Sequence, residues 1–308
     1  MRIVSLLPSA TEIVDALGLS ANLVARSHEC DYPKSILRLP ACTASEIELN
    51  ESTPGIQHRA TAPDYRALSV FSVDWDLLRG LRPTHILTQT LCAECRVTRE
   101  DILRVLEKEL FDLPELVSLH ASTLREVLEN FRNIGEALGQ PDKAASLVRK
   151  TSQRIDAIST RAKEAIQRPP RVACLDWIQP PMLGGNWLPE LVRMAGAVPA
   201  GETDPEHPNW IGWDDLNAAD ADVIIAMPCG YRLPRVREEL RYIARRPEWQ
   251  TLKAVREGQV YMANGSDYFN RPGPRLLDSL EIIAEILVPL EFPGQHKGTG
   301  WLPFPVEA

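Results

Sequence analysis

The sequence lacks the features of a membrane or nucleic-acid protein. Its 308 residues contain no basic run, and no window approaches the roughly 20 consecutive apolar residues that a membrane-spanning helix needs. The formal net charge is -8, and nucleic acids and acidic membranes both attract basic surfaces. We therefore expect no nucleic-acid partner and no direct insertion into a membrane.

No secretory signal is visible at the start of the sequence. Met1 and Arg2 lead directly into a short apolar strand and an amphipathic helix, without a long apolar segment or a cleavage site of small residues. As it stands, the sequence predicts a cytoplasmic protein. A periplasmic or extracellular location is the alternative if a leader has been removed.

Familiar catalytic motifs are absent. The patterns G-x-x-x-x-G-K, G-x-S-x-G and H-E-x-x-H do not occur, so nucleotide hydrolysis, esterase chemistry and zincin proteolysis have no support.

Strand-like and helix-like runs alternate along the chain, which is typical of an α/β fold with mainly parallel sheets. The first unit is "RIVSLL" followed by a helix that begins at the capping box Ser9 to Glu12 and stops at Gly18. A polar, glycine-free segment over 141–168 predicts one helix of roughly 40 Å. We predict an N-terminal lobe over 1–140, this connecting helix, a C-terminal lobe over 169–290 and a tail over 291–308 that wraps or is loose.

The opening "RIVSLLPSATEIVDALG" and the closing "VYMANGSDYFNRPGPRLLDSLEIIAEIL" resemble the substrate-binding proteins of metal-chelate ABC importers. That family takes up iron-siderophores, haem and cobalamin. The stretches "SHECDYP", "MPCGY" and "SDYFNRPGPR" resemble its cobalamin-binding branch without a leader. The resemblance implies two Rossmann-like lobes joined by one long helix, the class III periplasmic-binding-protein fold, with the ligand in a cleft between the lobes.

The same resemblance implies partners. An acidic residue on each lobe would dock on an importer's membrane subunit, and the matching positions are Asp76 and Asp214. The small-molecule partner would be cobalamin, a related corrinoid or another metal chelate. The resemblance thus implies a ligand-binding protein and not an enzyme.

Open α/β sheets bind ligands at the carboxyl ends of their strands, and a large flat ligand needs aromatic and apolar walls with a few polar anchors. His28 could in addition be an axial ligand of a bound metal, and Arg271 could reach carboxylate, amide or phosphate oxygens. The predicted ligand-binding residues are His28, Cys30, Tyr32, Cys92, Trp177, Trp187, Cys229, Tyr231, Tyr268, Phe269 and Arg271.

Cysteine and histidine residues also suggest a metal or redox site. Cys92 and Cys95 have the C-x-x-C spacing, and His28 with Cys30 follows another strand of the same lobe. Three thiolates and one imidazole would suit zinc, and sulfur ligands would also suit iron. The alternative is that these cysteines pack as small apolar groups in the core.

The stretch from 31 to 70 is rich in Pro and Thr and too polar for a regular core element. A loop of this length inside a domain is either functional or mobile, and the sequence leaves both open.

Overall fold

A computed structural model describes residues 1–45, 71–89, 106–108, 113–201 and 209–305. The chain divides into two compact units. One contains Met1–Ala121 and Arg125–Val148, and the other contains Ser122–Leu124 and Arg149–Ala308. None of the helices in these ranges is long and apolar enough to cross a membrane.

The first unit has six described strands: β1 (Ile3–Ser5), β2 (Leu23–Arg26), β3 (Thr43–Ser45), β4 (Phe71–Val73), β5 (His85–Gln89) and β6 (Glu115–Leu119). Four of them form a fully parallel sheet in the order β2-β1-β5-β6. A separate antiparallel pair joins β3 and β4.

One buried side chain from each parallel strand forms the core on one face of this sheet: Val4, Ala25, Ile86 and Leu116. Leu78 of a short helix covers them. The helices are α1 (Pro8–Ala16), α2 (Trp75–Leu81) and α3 (Leu124–Ala137), the last of which begins in the short 122–124 segment.

The beginning of α1 differs from the prediction. Pro8 is the first helical residue, Leu7 is the N-cap, and no side chain caps the helix, so Ser9 lies inside the first turn and forms no capping box. Proline is well suited to this position because it lacks the N–H that would be left unpaired there. The end agrees with the prediction, since Gly18 has a φ of 75°.

The long helix predicted from the polar segment is α4 (Pro141–Ala165). Its first turns belong to the first unit and the rest to the second, so one helix joins the two α/β units as predicted. The boundary at 148/149 lies inside α4. The division that sets 141–168 apart as a connector stays a prediction.

The described strands of the second unit are β7 (Arg171–Trp177), β8 (Met182–Leu183), β9 (Val198–Pro199), β10 (Asn209–Trp210), β11 (Val223–Ala226), β12 (Val260–Ala263) and β13 (Trp301–Pro303). They form a mixed sheet in the order β10-β8-β7-β11-β12-β13, with β9 paired to β7. Strands β9, β7, β11 and β12 are parallel, and β8, β10 and β13 are antiparallel to their neighbours.

Alternate residues of the three central strands of the second unit form one side of its core: Ala173, Leu175, Ile224, Ala226, Val260 and Met262. Side chains of four helices pack on them: α6 (Trp213–Ala218), α7 (Leu233–Ile243), α8 (Pro247–Thr251) and α9 (Lys253–Arg256). The unit also contains α5 (Leu188–Met194), α10 (Leu276–Leu287) and a π-helical turn over Gly265–Phe269.

The tail contributes an edge strand. Strand β13 pairs with β12, and the N–H groups of His296 and of the Trp301 indole donate to the buried Glu285 carboxylate. This part of the tail is therefore fixed to α10 and to the sheet.

Gly265 allows the loop after β12 to pack directly on the loop after β11. A Cβ at this position would lie 2.3 Å from the carbonyl oxygen of Pro228 and 2.4 Å from that of Met227. Ser266 then donates its N–H to the Tyr231 carbonyl at 3.1 Å. The two loops can approach this closely because residue 265 has no side chain.

We predict that Gly265→Ala lowers the free energy of unfolding by about 1–3 kcal/mol, toward the upper end because the clashing atoms are backbone oxygens. The control is Gly80→Ala in α2, where an added Cβ meets nothing within 4 Å. This change should be neutral or stabilise by up to about 1 kcal/mol through helix propensity. Urea unfolding of both variants tests the prediction, and equal stabilities would contradict it.

Candidate functional site

The order of strands marks a binding position in the second unit. The chain continues from β7 to β8 and β9, which both pair with β7 on the same side. Strand β11 pairs with the other side of β7, and the chain continues from it to β12, farther from β7. Connections leave β7 and β11 in opposite directions, so their carboxyl ends form a topological switch point. Asp176 and Trp177 end β7, and Cys229 and Tyr231 follow β11.

These strand ends are in contact. The Cys229 N–H donates to the Asp176 carbonyl at 3.2 Å, and the rings of Trp177 and Tyr231 lie 5.3 Å apart at 44°. The guanidinium of Arg235 lies 5.4 Å from the centre of the Tyr231 ring. Trp177 is half-buried, Tyr231 is buried and Cys229 is exposed. The predicted residues Trp177, Cys229 and Tyr231 are thus brought together.

Asp176 is a buried carboxyl at the same place. Burial raises its pKa from 3.8 to about 6, and a hydrogen bond from Asn270 opposes the increase. The Asn270 Nδ2 group donates to Asp176 Oδ1 at 2.8 Å. Perturbed carboxyls of this kind are concentrated at functional sites.

Four predicted ligand-binding residues lie in the loop after β12 or contact it, and their surroundings differ. The Trp187 indole N–H donates to the Phe269 carbonyl at 3.0 Å, and both side chains are buried, so they pack inside the unit. Tyr268 is half-buried, with His296 at 5.8 Å and the Arg275 guanidinium at 5.6 Å from its ring. Arg271 is buried. Of these four, Tyr268 is the most open to a ligand.

The first unit has its own switch point between β1 and β5, because β1 is followed by β2 on one side and β5 by β6 on the other. Cys92 and Cys95 follow β5 in the sequence and lie outside the described residues. The roles of these two cysteines remain predictions.

Cys30 packs against the end of β1. It is 0% exposed, and the Thr11 hydroxyl lies 3.1 Å from its sulfur and 2.8 Å from the Ser5 hydroxyl. This surrounding is that of a core thiol, and it favours the packing alternative for Cys30.

His28 has a defined polar environment. Its Nδ1 lies 2.7 Å from the Thr43 hydroxyl, which also accepts the His28 backbone N–H and lies 3.1 Å from the Ser27 hydroxyl. The ring is half-buried, and this network fixes its orientation. Tyr32, four residues along the same loop, is exposed.

The group of possible metal-ligand atoms found among the described residues lies elsewhere. It consists of Asp278, Glu281 and His296, whose side-chain ligand atoms lie within 4.8 Å of one another. Arg154 of α4 already pairs with both carboxylates there. Charge pairing therefore explains this cluster. The metal set of His28, Cys30, Cys92 and Cys95 stays a prediction, since two members are not described.

The two predicted docking residues occupy matching positions. Asp76 lies in the first turn of α2, directly before β5, and Asp214 in the first turn of α6, directly before β11. The Asp76 side chain is 91% exposed and pairs with Arg79, and Asp214 is exposed. Each acidic residue is thus accessible on its own unit.

The sequence did not single out Asp176, Asn270 or Thr43 as site residues, although Asp176 and Asn270 lie in segments expected to line the cleft. Asp176 carried a usable signal, because a single acidic residue ends the otherwise apolar run "VACLDW". Asn270 and Thr43 had none, since their roles depend on contacts with residues 94 and 15 positions away.

Comparison with known proteins agrees with this architecture. The model of the family described as periplasmic binding protein matches residues 3–265. The chain therefore belongs to the periplasmic binding protein family, and the predicted resemblance is confirmed.

Curated relatives cover nearly the whole chain. The vitamin B12-binding protein of Vibrio cholerae is 25% identical over 293 residues, covering 93% of this chain and 88% of the relative. The uncharacterized ABC transporter substrate-binding lipoprotein YvrC of Bacillus subtilis is 22% identical over 292 residues, with 94% and 81% covered.

Solved structures confirm the predicted fold class. The periplasmic heme-binding protein RhuT of Roseiflexus sp. RS-1 matches with a TM-score of 0.67 and 19% identity, covering 94% of this chain and 98% of that one. The periplasmic vitamin B12-binding protein BtuF of Vibrio cholerae matches with a TM-score of 0.64 and 20% identity, covering 93% and 96%. At these identities the likeness concerns the fold.

The raised pKa of Asp176 predicts a pH dependence of stability. A carboxyl that binds its proton more tightly in the folded state stabilises the fold when protonated, and this contribution is lost as pH rises from about 4 to about 6. We predict that the isosteric Asp176→Asn raises the free energy of unfolding at pH 7.5 by roughly 1–3 kcal/mol, and by less at pH 4.5.

Asp222→Asn is a control of opposite sign. The backbone N–H of Arg171 and the Lys253 ammonium, each 2.7 Å away, lower the pKa of Asp222. The charged form of Asp222 stabilises the fold, so this variant should be destabilised at pH 7.5. Urea unfolding at both pH values measures these effects. A loss of stability in Asp176→Asn that does not depend on pH would contradict the assignment.

Proposed function

We propose that this protein binds a corrinoid, cobalamin-like ligand, or a related metal chelate, and does not change it chemically. The observation that carries the proposal is the arrangement at the carboxyl ends of β7 and β11, where Trp177, Tyr231 and Asp176 meet. Membership in a family of binding proteins and the vitamin B12-binding relative support it.

The described aromatic residues suit a large flat ligand. Trp177 and Tyr231 form a tilted ring pair at the switch point, and Tyr268 lies in the adjoining loop. Aromatic faces supply a large apolar contact area, while a few polar groups fix the ligand's orientation. In the first unit, His28 offers an imidazole whose orientation is fixed by Thr43. That the ligand lies between the lobes and also contacts Cys92 stays a prediction.

We predict saturable binding of hydroxocobalamin at one equivalent per chain, followed by the absorbance of the corrin ring under reducing conditions. Trp177→Leu should weaken binding at least about tenfold, because it removes the ring face but keeps an apolar side chain. Tyr242→Ala on α7 is the control, since Tyr242 is an exposed aromatic outside the strand-end loops. Hemin, titrated in parallel, tests the haem alternative.

Absence of saturable binding of both compounds at about 100 micromolar would contradict the proposal. The competing function is a metal or redox site formed by His28, Cys30, Cys92 and Cys95. About one equivalent of zinc or iron in the purified protein, lost when Cys92 and Cys95 are changed to Ser, would favour that function.

We further propose that Asp76 and Asp214 contact basic residues of an importer's membrane subunit. Both are exposed and lie at corresponding helix starts. The YvrC relative is named as a substrate-binding lipoprotein of an ABC transporter, which supports such a partner. This role requires the periplasmic or extracellular alternative for the location.

We predict that the double variant Asp76→Lys with Asp214→Lys no longer sediments with importer-containing membrane vesicles from the source cells, while its affinity for hydroxocobalamin is unchanged. Like charges repel, and pairs at an exposed interface are weakened by salt, so wild-type binding should fall between about 50 and 300 mM salt. Asp156→Lys on the exposed side of α4 is the control. Undiminished sedimentation of the double variant would contradict the proposal.

A further inference from the structure

Asp176 is a buried carboxyl without a cation. It is 7% exposed, and among the described residues it forms no ion pair; its side-chain partner is the Asn270 amide. Removing a carboxylate from water without a compensating charge or several hydrogen bonds is costly. This arrangement therefore needs an explanation beyond the stability of the fold.

Asn270 leaves a second acceptor at the same place. Its Nδ2 is used by Asp176, and its Oδ1 is buried without a hydrogen-bond partner in the described part of the chain. The orientation of the amide follows from the carboxylate, because the opposite orientation would place two acceptor oxygens against each other.

Backbone packing keeps this amide in position. A Cβ on Gly265 would lie 2.7 Å from Asn270 Oδ1, and the Asn270 N–H donates to the Gly265 carbonyl at 3.1 Å. Asp176 is fixed by β7, whose end is bonded to Cys229 through the Asp176 carbonyl. The carboxyl of Asp176 and the Oδ1 of Asn270 therefore form a preorganised group of acceptors.

A matching ligand group must supply N–H donors. A primary carboxamide has two N–H groups and no net charge, so it can satisfy both acceptors. A ligand carboxylate has only acceptor oxygens and would be repelled by Asp176, and repulsion between buried charges is strong. Specificity of this kind comes from rejecting the wrong group as much as from binding the right one.

We propose that Asp176 and Asn270 are specificity-determining residues that receive the N–H groups of a ligand carboxamide, so that the second unit selects carboxamide-bearing over carboxylate-bearing metal chelates. The inference rests on the proposed function and deepens it. Cobalamin has carboxamides around its ring, whereas haem has carboxylates, so the pair favours the corrinoid.

Two corrinoids with the same ring and metal provide the test. Dicyanocobinamide carries carboxamides where dicyanocobyrinic acid carries carboxylates. At pH 7.5 we expect the wild-type protein to bind the carboxamide form at least about tenfold more tightly. Asp176→Asn should reduce this preference at least about fivefold, mainly through tighter binding of the carboxylate form, because residue 176 would then be uncharged. Asp156→Asn, an exposed carboxylate on α4, is the control and should keep the wild-type ratio.

The possible results of this experiment test three separate claims: the carboxamide preference, the role of Asp176 and the proposed function. Equal wild-type affinities for the two corrinoids overturn the inference and leave the proposed function intact, and this result does not depend on the folding of any variant. A wild-type preference that Asp176→Asn does not change overturns the assignment to Asp176. If neither corrinoid binds, the proposed function fails and the inference fails with it.

Discussion

The close approach of two loops at Gly265 is the constraint on which the candidate site of the second unit depends. With carbonyl oxygens of Met227 and Pro228 within 2.4 Å of the place where a Cβ would lie, only glycine allows the loop after β12 to lie on the loop after β11. This contact brings Asn270 to Asp176, although the two are 94 positions apart in sequence. The polar part of the site is thus positioned by backbone packing and not by local sequence.

The two units use polar residues differently at their strand ends. In the first unit, hydroxyl groups satisfy one another and their neighbours: Thr11 joins Ser5 to Cys30, and Thr43 joins Ser27 to His28. Such networks are stable in a buried position because each member has partners. In the second unit, Asp176 and Asn270 have acceptor capacity that the described residues do not fill. A ligand that donates hydrogen bonds has more to gain there.

Much of the fold could be predicted from the sequence, because the period of apolar residues and the helix-ending glycine are local signals. The strand "RVACLDW" agrees with β7 over its full length, and the polar 141–168 segment contains α4. The short strands β8 and β13 were not predicted, since they depend on pairing with distant strands.

The candidate site was predictable in position but not in detail. Strand-end residues were identified from the rule that parallel sheets bind ligands at their carboxyl edge, and Trp177 and Tyr231 do meet there. The direction of a side chain in an irregular loop is set by tertiary packing, which the sequence pattern does not encode. Trp187 and Phe269 therefore lie in the interior of the unit, joined by an indole-to-carbonyl hydrogen bond.

Asp176 shows how stability and binding oppose each other at this site. Its carboxyl has a raised pKa because burial disfavours its charged form, so at neutral pH the fold is less stable than it would be with a neutral side chain. Asp222, at the opposite end of the same sheet, has the reverse situation, since Arg171 and Lys253 stabilise its charge. Both are aspartates next to central strands of one sheet, and they differ in whether the protein itself supplies the donors. At Asp222 the fold supplies the hydrogen-bond donors, whereas at Asp176 it supplies one amide. A ligand that brings further N–H groups would supply the missing donors in the bound state. Part of the stability that the free protein loses at Asp176 would then appear as selectivity in binding.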